Sequence, residues 1–155
     1  SFPDVNGDTV SFSDEQFQNQ VSIVQVMGSW CPNCLDETRY LTELYEKYNP
    51  SGLQVVALAF ERTRSEAQAL KNLAALKTRT SAPYPFLLAA WNKKTKAAEI
   101  LPMLNHVMSF PTAIFIDKNG KVRKIHTGFY GPGTGEYYEN FTSETEAFIK
   151  QLLEE

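Results

Sequence analysis

Trp30-Cys31-Pro32-Asn33-Cys34 holds both cysteines of the chain, three positions apart. Directly before it runs Val21-Ser22-Ile23-Val24-Gln25-Val26-Met27, mostly apolar and β-branched, which predicts a buried central strand. Directly after it, Leu35, Leu41, Leu44, Tyr45 and Tyr48 recur at helical spacing until Asn49-Pro50-Ser51-Gly52 ends the pattern. A strand that hands over to a helix at Cys-x-x-Cys puts the first sulfur at the helix N-terminus. Unsatisfied backbone N–H groups and the helix dipole favour the thiolate there. The second cysteine lies one turn later on the same face and can close a disulfide with the first. Pro32 suits the first helical position, where its missing N–H would have had no partner. The stretch predicts a dithiol/disulfide pair rather than two passive thiols.

Size and composition narrow the field. With 155 residues, of which 43% are hydrophobic, the chain fits one domain, residues 1–155, with a substantial core. The formal charge of −3 is too close to neutral to suggest a nucleic-acid or anionic-membrane partner. No run reaches the length of a membrane span and no secretory leader is visible. The chain opens on Ser1 rather than Met, consistent with a removed leader or anchor, so its absence here says little about location. Two cysteines in one motif cannot make a disulfide framework, and the small loop they would close adds little as a staple. Zinc is a poor alternative, because a structural site wants four ligands and His106 and His126 lack finger spacing.

Working outward, Val5 to Val10 carries an Asn-Gly turn and reads as a small leading hairpin. Ser13-Asp14-Glu15-Gln16 reads as a capping box for a short helix bearing Phe17. Leu53 to Phe60 is a second buried strand, ending at Glu61. Ser65-Glu66-Ala67-Gln68 is a further capping box, followed by Leu70, Leu73 and Leu76 on one helix face. Phe86 to Ala89 predicts a short strand, and residues 92–105 a loop and short helix interrupted at Pro102. Ala113 to Ile116, the turn Asp117-Lys118-Asn119-Gly120, and Lys121 to Thr127 make the clearest hairpin. Gly131 to Gly135 reads as a flexible loop, and Ser143-Glu144-Thr145-Glu146 as the cap of a last helix with Phe148, Ile149, Leu152 and Leu153. Trp91, Tyr137 and Tyr138 are expected as packing residues. The order predicts an α/β fold, a mixed central sheet with helices on both faces.

Ser109-Phe110-Pro111-Thr112 supplies a second signal just ahead of the strand Ala113 to Ile116. Proline is excluded from a central strand, so it marks the turn leading in, and an X-Pro bond there is a candidate for the cis form. Together with Trp-Cys-x-x-Cys at a strand–helix junction about 80 residues upstream, it says more than either motif alone.

On these residues the chain resembles the thioredoxin superfamily, and more narrowly its TlpA/ResA-like extracytoplasmic thiol–disulfide oxidoreductases. The resemblance extends to the leading hairpin, to Gly28-Ser29 before Trp30, and to Phe115-Ile116-Asp117-Lys118-Asn119-Gly120 followed by Gly128. It implies a thioredoxin fold with an N-terminal β-hairpin extension, a cis Pro111 packed against the disulfide, and disulfide-containing proteins as substrates. It also implies a periplasmic or otherwise extracytoplasmic site of action, possible membrane anchorage, and electrons from a membrane-embedded thiol donor; cytochrome c maturation is one setting for such work.

Under that resemblance Cys31 is the attacking thiolate and Cys34 the resolving thiol. Trp30, Pro32, Asn33, Phe110 and Pro111 form the substrate-binding surface, and no cofactor or metal is needed beyond the redox-active pair. Two departures matter. Cytoplasmic thioredoxins carry a buried aspartate six residues before the first cysteine, where this chain has Gln25, which cannot act as a base. A glutamate at the end of the strand after the active-site helix is expected near the cysteines in the ResA-like group, and Glu61 is carried over as proton acceptor. Pro32-Asn33 leaves the reduction potential open over the roughly −270 to −120 mV that related proteins span. Two other readings stand beside this one. A copper-handling protein would bind Cu(I) through Cys31 and Cys34 with His106 or Met108. A peroxiredoxin-like peroxidase would want Thr or Ser at Gly28 and proline near Val24, and has neither.

Overall fold

A strand buried along its whole length needs cover on both faces, and Val21–Met27 (β3) is buried at all seven positions. The computed structural model describes residues 1–91 and 110–155. Around β3 lie Leu53–Phe60 (β4), Phe86–Ala90 (β5), Thr112–Ile116 (β6) and Val122–Thr127 (β7), ordered β5-β4-β3-β6-β7. β3, β4 and β5 are parallel, whereas β6 and β7 form a hairpin antiparallel to β3. The β4–β5 pairing slips between Ala59 and Phe60: Ala59 faces Leu88 but Phe60 faces Ala90. Phe2–Pro3 (β1) and Thr9–Val10 (β2) make the leading hairpin, bridged to the β5 edge through Asp4 and Leu87. Its turn is organised by the Asp4 carboxylate, which accepts the N–H groups of Asn6 and Asp8 at 2.8 and 2.9 Å.

The two-residue period of β3 splits the core. Val21 and Ile23 face a cluster that includes Leu41 and Leu44 of α1 (Pro32–Tyr48), Ala69 and Leu73 of α2 (Glu66–Thr80), and Ile149 and Leu152 of α3 (Glu136–Glu154). Val24 and Val26 face a second cluster with Val10, Val56, Leu58, Leu87 and Ile114, against which Phe2 and Phe17 pack. Among the described residues, then, all three α-helices cover one face, and the hairpin with the Glu15–Phe17 turn covers the other. Helices on both faces were expected. The segment 92–105, expected to carry a short helix, lies outside the described residues.

Three local expectations are corrected. Ser13-Asp14-Glu15-Gln16 opens only a single 3-10 turn without a side-chain cap, because the Asp14 carboxylate turns back to the Ser11 N–H at 2.9 Å. Within the stretch expected as a loop, Pro132–Thr134 form a 3-10 turn, closed by the Thr134 N–H and hydroxyl on the Gly131 carbonyl. The last helix begins at Glu136, seven residues ahead of Ser143, which lies mid-helix and exposed. Tyr138 and Phe141 explain the extension: they continue the apolar stripe N-terminally and pack on Tyr40 and Phe129. Of the tyrosines expected to pack, Tyr138 does, whereas Tyr137 is 69% exposed and stacks only on Tyr130. Trp91 packs against the core as expected.

Ser65 does cap α2, accepting the Gln68 N–H at 3.1 Å, although the Gln68 amide turns to Asn72 instead of completing the box. Ser65→Ala should therefore lower stability by about 1 kcal/mol. Ser143→Ala should change it by less than about 0.5 kcal/mol, since alanine is the better helix former. Urea unfolding of the two variants checks this, and an equal loss in both would contradict the helix start at Glu136.

Candidate active site

The sheet register brings the site together. Met27 pairs with Ala59 and Val26 with Thr112, so Gly28, Glu61 and Pro111 emerge at one end of three adjacent strands. A tight turn, in which the Cys31 N–H donates to the Gly28 carbonyl at 3.2 Å, then carries the chain into α1. Cys31 is the N-cap of that helix and Pro32 its first residue. The cap is the sulfur itself: the Cys34 N–H donates to Cys31 Sγ at 3.3 Å. Both cysteines are free thiols, Cys31 7% exposed and Cys34 fully buried. The Phe110–Pro111 bond is cis, and Cys31 Sγ lies 3.7 Å from the Phe110 carbonyl oxygen.

The two sulfurs are driven apart electrostatically. The Cys31 pKa is lowered to about 7, first by the hydrogen bond from the Cys34 thiol. The backbone N–H groups of Cys34 and Asn33 and the Arg62 charge add to the effect, against the opposing cost of burial. The same hydrogen bond, together with burial, pushes the Cys34 thiol strongly up. Cys31 is thus the anion near neutral pH, and Cys34 holds its proton.

Beneath the sulfurs runs a buried polar stripe. The Gln25 amide donates to the Cys34 carbonyl at 3.3 Å and to Thr38 Oγ1 at 3.1 Å. Tyr84, fully buried, donates to Gln25 Oε1. Glu37 lies in this layer, 2% exposed, and its Oε1 has no hydrogen-bond partner among the described residues. Burial pushes its pKa up to about 8, with Gln25 opposing and the Cys31 charge adding to the rise. Sequence reasoning passed over Glu37. The signal was present: it stands three residues after Cys34, on the helix face that also carries Thr38 and Leu41 into the core.

Three consecutive residues at the end of β4 grip the loop that precedes Cys31. The Phe60 carbonyl accepts the Trp30 indole N–H at 2.9 Å. Glu61, 2% exposed, accepts the Ser29 N–H at 2.8 Å on one carboxylate oxygen and the Ser29 hydroxyl on the other. The Arg62 guanidinium lies 3.4 Å from the centre of the Trp30 ring. Trp30 in turn meets Phe110 edge to face at 5.1 Å, and the Phe110 carbonyl oxygen lies 3.7 Å from Cys31 Sγ. Glu61 is next to the site, but both its oxygens are engaged by Ser29. Pro32 and Asn33 are exposed beside Cys31. His106 and Met108 lie outside the described residues, and the described residues contain no cluster of three or more His, Cys, Asp or Glu able to hold a metal.

A parallel–antiparallel sheet, a Cys-x-x-Cys capping the helix after its central strand, and a cis proline beside the first sulfur define a thioredoxin-fold protein with a redox-capable dithiol. The sequence matches the family model Redoxin over residues 1–140, and the chain belongs to that family, in the TlpA/ResA-like branch of the thioredoxin superfamily. Thiol-disulfide oxidoreductase ResA of Bacillus thuringiensis subsp. konkukian is 28% identical over 119 residues, 77% of this chain and 60% of the relative. ResA of Geobacillus thermodenitrificans is 30% identical over 101 residues, 65% of this chain and 51% of the relative. The chain spans only 60% and 51% of the length of these two curated relatives. Among solved structures, a candidate thiol:disulfide interchange protein DsbE from Chlorobium tepidum superposes with a TM-score of 0.66 at 26% identity, covering 94% of this chain and 90% of that one. A thiol-disulfide isomerase from Corynebacterium glutamicum gives 0.74 at 16% identity, covering 100% and 95%, a likeness of fold.

Gly28 is required by the indole. A Cβ there would lie 2.2 Å from Trp30 Nε1 and 2.5 Å from the adjoining ring carbon. Gly28→Ala should displace the ring from Phe60 and Arg62 and cost about 1–3 kcal/mol, as overpacking does. Unfolding together with tryptophan emission reads this, and wild-type values for both would show that the indole is seated elsewhere.

Proposed function

We propose that this chain is a protein thiol–disulfide oxidoreductase that works as a disulfide reductase. One observation carries the reading: the Cys31 sulfur caps α1 at 3.3 Å from the Cys34 N–H, with its pKa lowered to about 7 and the Phe110 backbone 3.7 Å away. Cys31 thiolate attacks a substrate disulfide. A Cys31–substrate S–S bond forms, the substrate S–S bond breaks, and a substrate thiolate leaves. Cys34 then attacks the Cys31 sulfur, closing Cys31–Cys34 and releasing the second substrate sulfur. Two electrons pass from the dithiol to the substrate, whose two sulfurs end as thiols.

Cys34 must lose a proton in that second step, and its thiol is strongly disposed to keep it. Glu37 is the better acceptor than Glu61. It is the carboxyl whose charge raises Cys34 and whose own pKa responds to Cys31, and it has an unpartnered oxygen and a pKa near neutral. Glu61 positions the loop by holding Ser29. Pro32, Asn33 and Phe110 offer the substrate a surface beside Cys31, and Pro111, buried with its carbonyl on the Gly128 N–H, backs it. The named relatives support this chemistry, and they motivate placing it outside the cytoplasm, with protein substrates and a membrane-embedded thiol donor to regenerate the dithiol. Among the described residues no helix is long and apolar enough to cross a membrane.

Redox titration against glutathione followed by trapping tests the reading. Cys31→Ser should abolish turnover, and Cys34→Ser should accumulate mixed disulfides; equal trapping by both would overturn the assigned order of attack. Glu37→Gln should slow resolution at neutral pH and remove the limb of the rate profile that titrates at about 8. It should also change the pH dependence of stability. The Glu37 pKa is higher folded than unfolded, so its contribution is full below the ordinary 4.5 and declines as pH rises to about 8. That gap is worth at most roughly 5 kcal/mol. The Cys31 thiolate acts in the opposite sense between about 7 and 9 in both proteins, so the difference between them isolates Glu37. The Gln variant should therefore gain on wild type steadily across pH 5–8, and parallel melting curves would take Glu37 out of the account.

A further inference from the structure

One flank of the site is unused by the chemistry above. Between the Ser29-Trp30 loop and α2 lies an open groove of about 380 Å3, lined by Ser29, Trp30, Asn72, Ala75, Leu76 and Arg79. None of these is acidic. Glu61, next to Arg62 in the chain, is buried and turned onto Ser29. Arg79 is exposed at the groove, and Arg62 is exposed on the Trp30 ring. Among the described residues neither arginine makes an ion pair, whereas Arg123 is held between Asp117 and Glu155 and Lys47 by Glu146. The chain as a whole carries a charge of −3, so a groove lined by one unpaired arginine, with a second on the adjoining Trp30 ring and no carboxylate in the lining, runs against its average.

We propose that this groove docks an acidic segment of the partner protein, adjoining the partner's reactive disulfide. The inference rests on the oxidoreductase reading and names what the substrate carries. With its carbon 3.4 Å from the Trp30 ring centre, the Arg62 guanidinium lies against the ring, and a guanidinium held by its face presents its N–H edge for a two-point grip on a carboxylate. Holding the guanidinium flat beforehand reduces the ordering cost of that grip. The location is right for a disulfide substrate: Trp30 immediately precedes Cys31, and its ring meets Phe110, whose carbonyl lies against the sulfur. A partner chain lying on the Phe110-Pro111 side of Cys31 would have its neighbouring residues over Trp30, within reach of Arg62 and then Arg79.

The test uses three disulfide-linked peptides of equal length, with Glu, Gln or Lys flanking the cysteine, and the reduced protein as wild type and as Arg62→Gln/Arg79→Gln. Wild type should reduce the Glu peptide about tenfold faster in kcat/KM than the Lys peptide, with the gap narrowing as salt is added. The double variant should show a gap of about threefold or less. Loss of Arg62 also raises the Cys31 pKa, but that slows all three peptides alike, so the ratio isolates docking. Equal rates for the three peptides in wild type, or an undiminished ratio in the double variant, would overturn the inference while leaving the oxidoreductase reading in place. Failure to reduce any peptide would instead strike at that reading. Titration of the labelled reduced peptides into Cys31→Ser/Cys34→Ser protein then decides docking without turnover: preferential binding of the Glu peptide supports the groove, and no preference overturns it.

Discussion

The structure depends on one hydrogen bond made by a sulfur where an oxygen would ordinarily sit. Helix α1 needs an acceptor at its N-cap, and Cys31 Sγ supplies it by taking the Cys34 N–H. The requirement is reciprocal: the helix gains a cap and the sulfur gains a reason to be an anion. Lowering the Cys31 pKa from 9.0 to about 7 corresponds to about 3 kcal/mol in favour of the charged form, won against the cost of burial. Because the thiol of Cys34 contributes to the same effect, the pair behaves as one unit, with the charge on the outer sulfur and the proton on the inner.

What surrounds that unit divides into a layer that holds protons and a layer that holds position. Below lie Gln25, Glu37, Thr38 and Tyr84, of which Glu37 is the one carboxylate. An amide at position 25 cannot exchange a proton; it connects strand and helix, and the buried carboxyl of this layer, Glu37, stands on the helix. Beside the sulfurs lie Phe60, Glu61 and Arg62, each engaged with Ser29 or Trp30. Glu37 and Glu61 are both 2% exposed, yet they differ in their partners. A carboxylate with two donors on it is an anchor, and one with an orphaned oxygen is available for proton chemistry.

Much of this was legible in the sequence. Mostly apolar runs of seven and eight residues, short and bounded by the turn residues Gly28 and Gly52, specify β3 and β4. Cys-Pro-x-Cys at the junction fixes the cap, and Phe110-Pro111 the neighbouring turn. The start of α3 was misread because Ser143-Glu144-Thr145-Glu146 matches a local capping pattern, whereas Tyr138 and Phe141 gain more by packing on Tyr40 and Phe129 than a cap would supply. Glu37 was missed because it is charged, and charge on a helix is ordinarily read as a solvated face. The stacking of Arg62 on Trp30 depends on a turn of the chain after β4 that no local motif reports.

The slipped pairing between β4 and β5 has a consequence for how this protein can change length. Beyond the slip, the Glu61 N–H still donates to the Ala90 carbonyl at 2.8 Å, so the β5 edge holds the chain that carries Glu61 and Arg62 to the loop. Ala89 is the extra residue, on β5, that lets Phe60 pair with Ala90. A single-residue deletion in β5 would remove that extra residue and shift by one the carbonyls of Ala90 and Trp91 on which the Glu61 and Thr63 N–H groups rest. The length of β5 therefore bears on where Glu61 meets Ser29, across β4 from that edge strand.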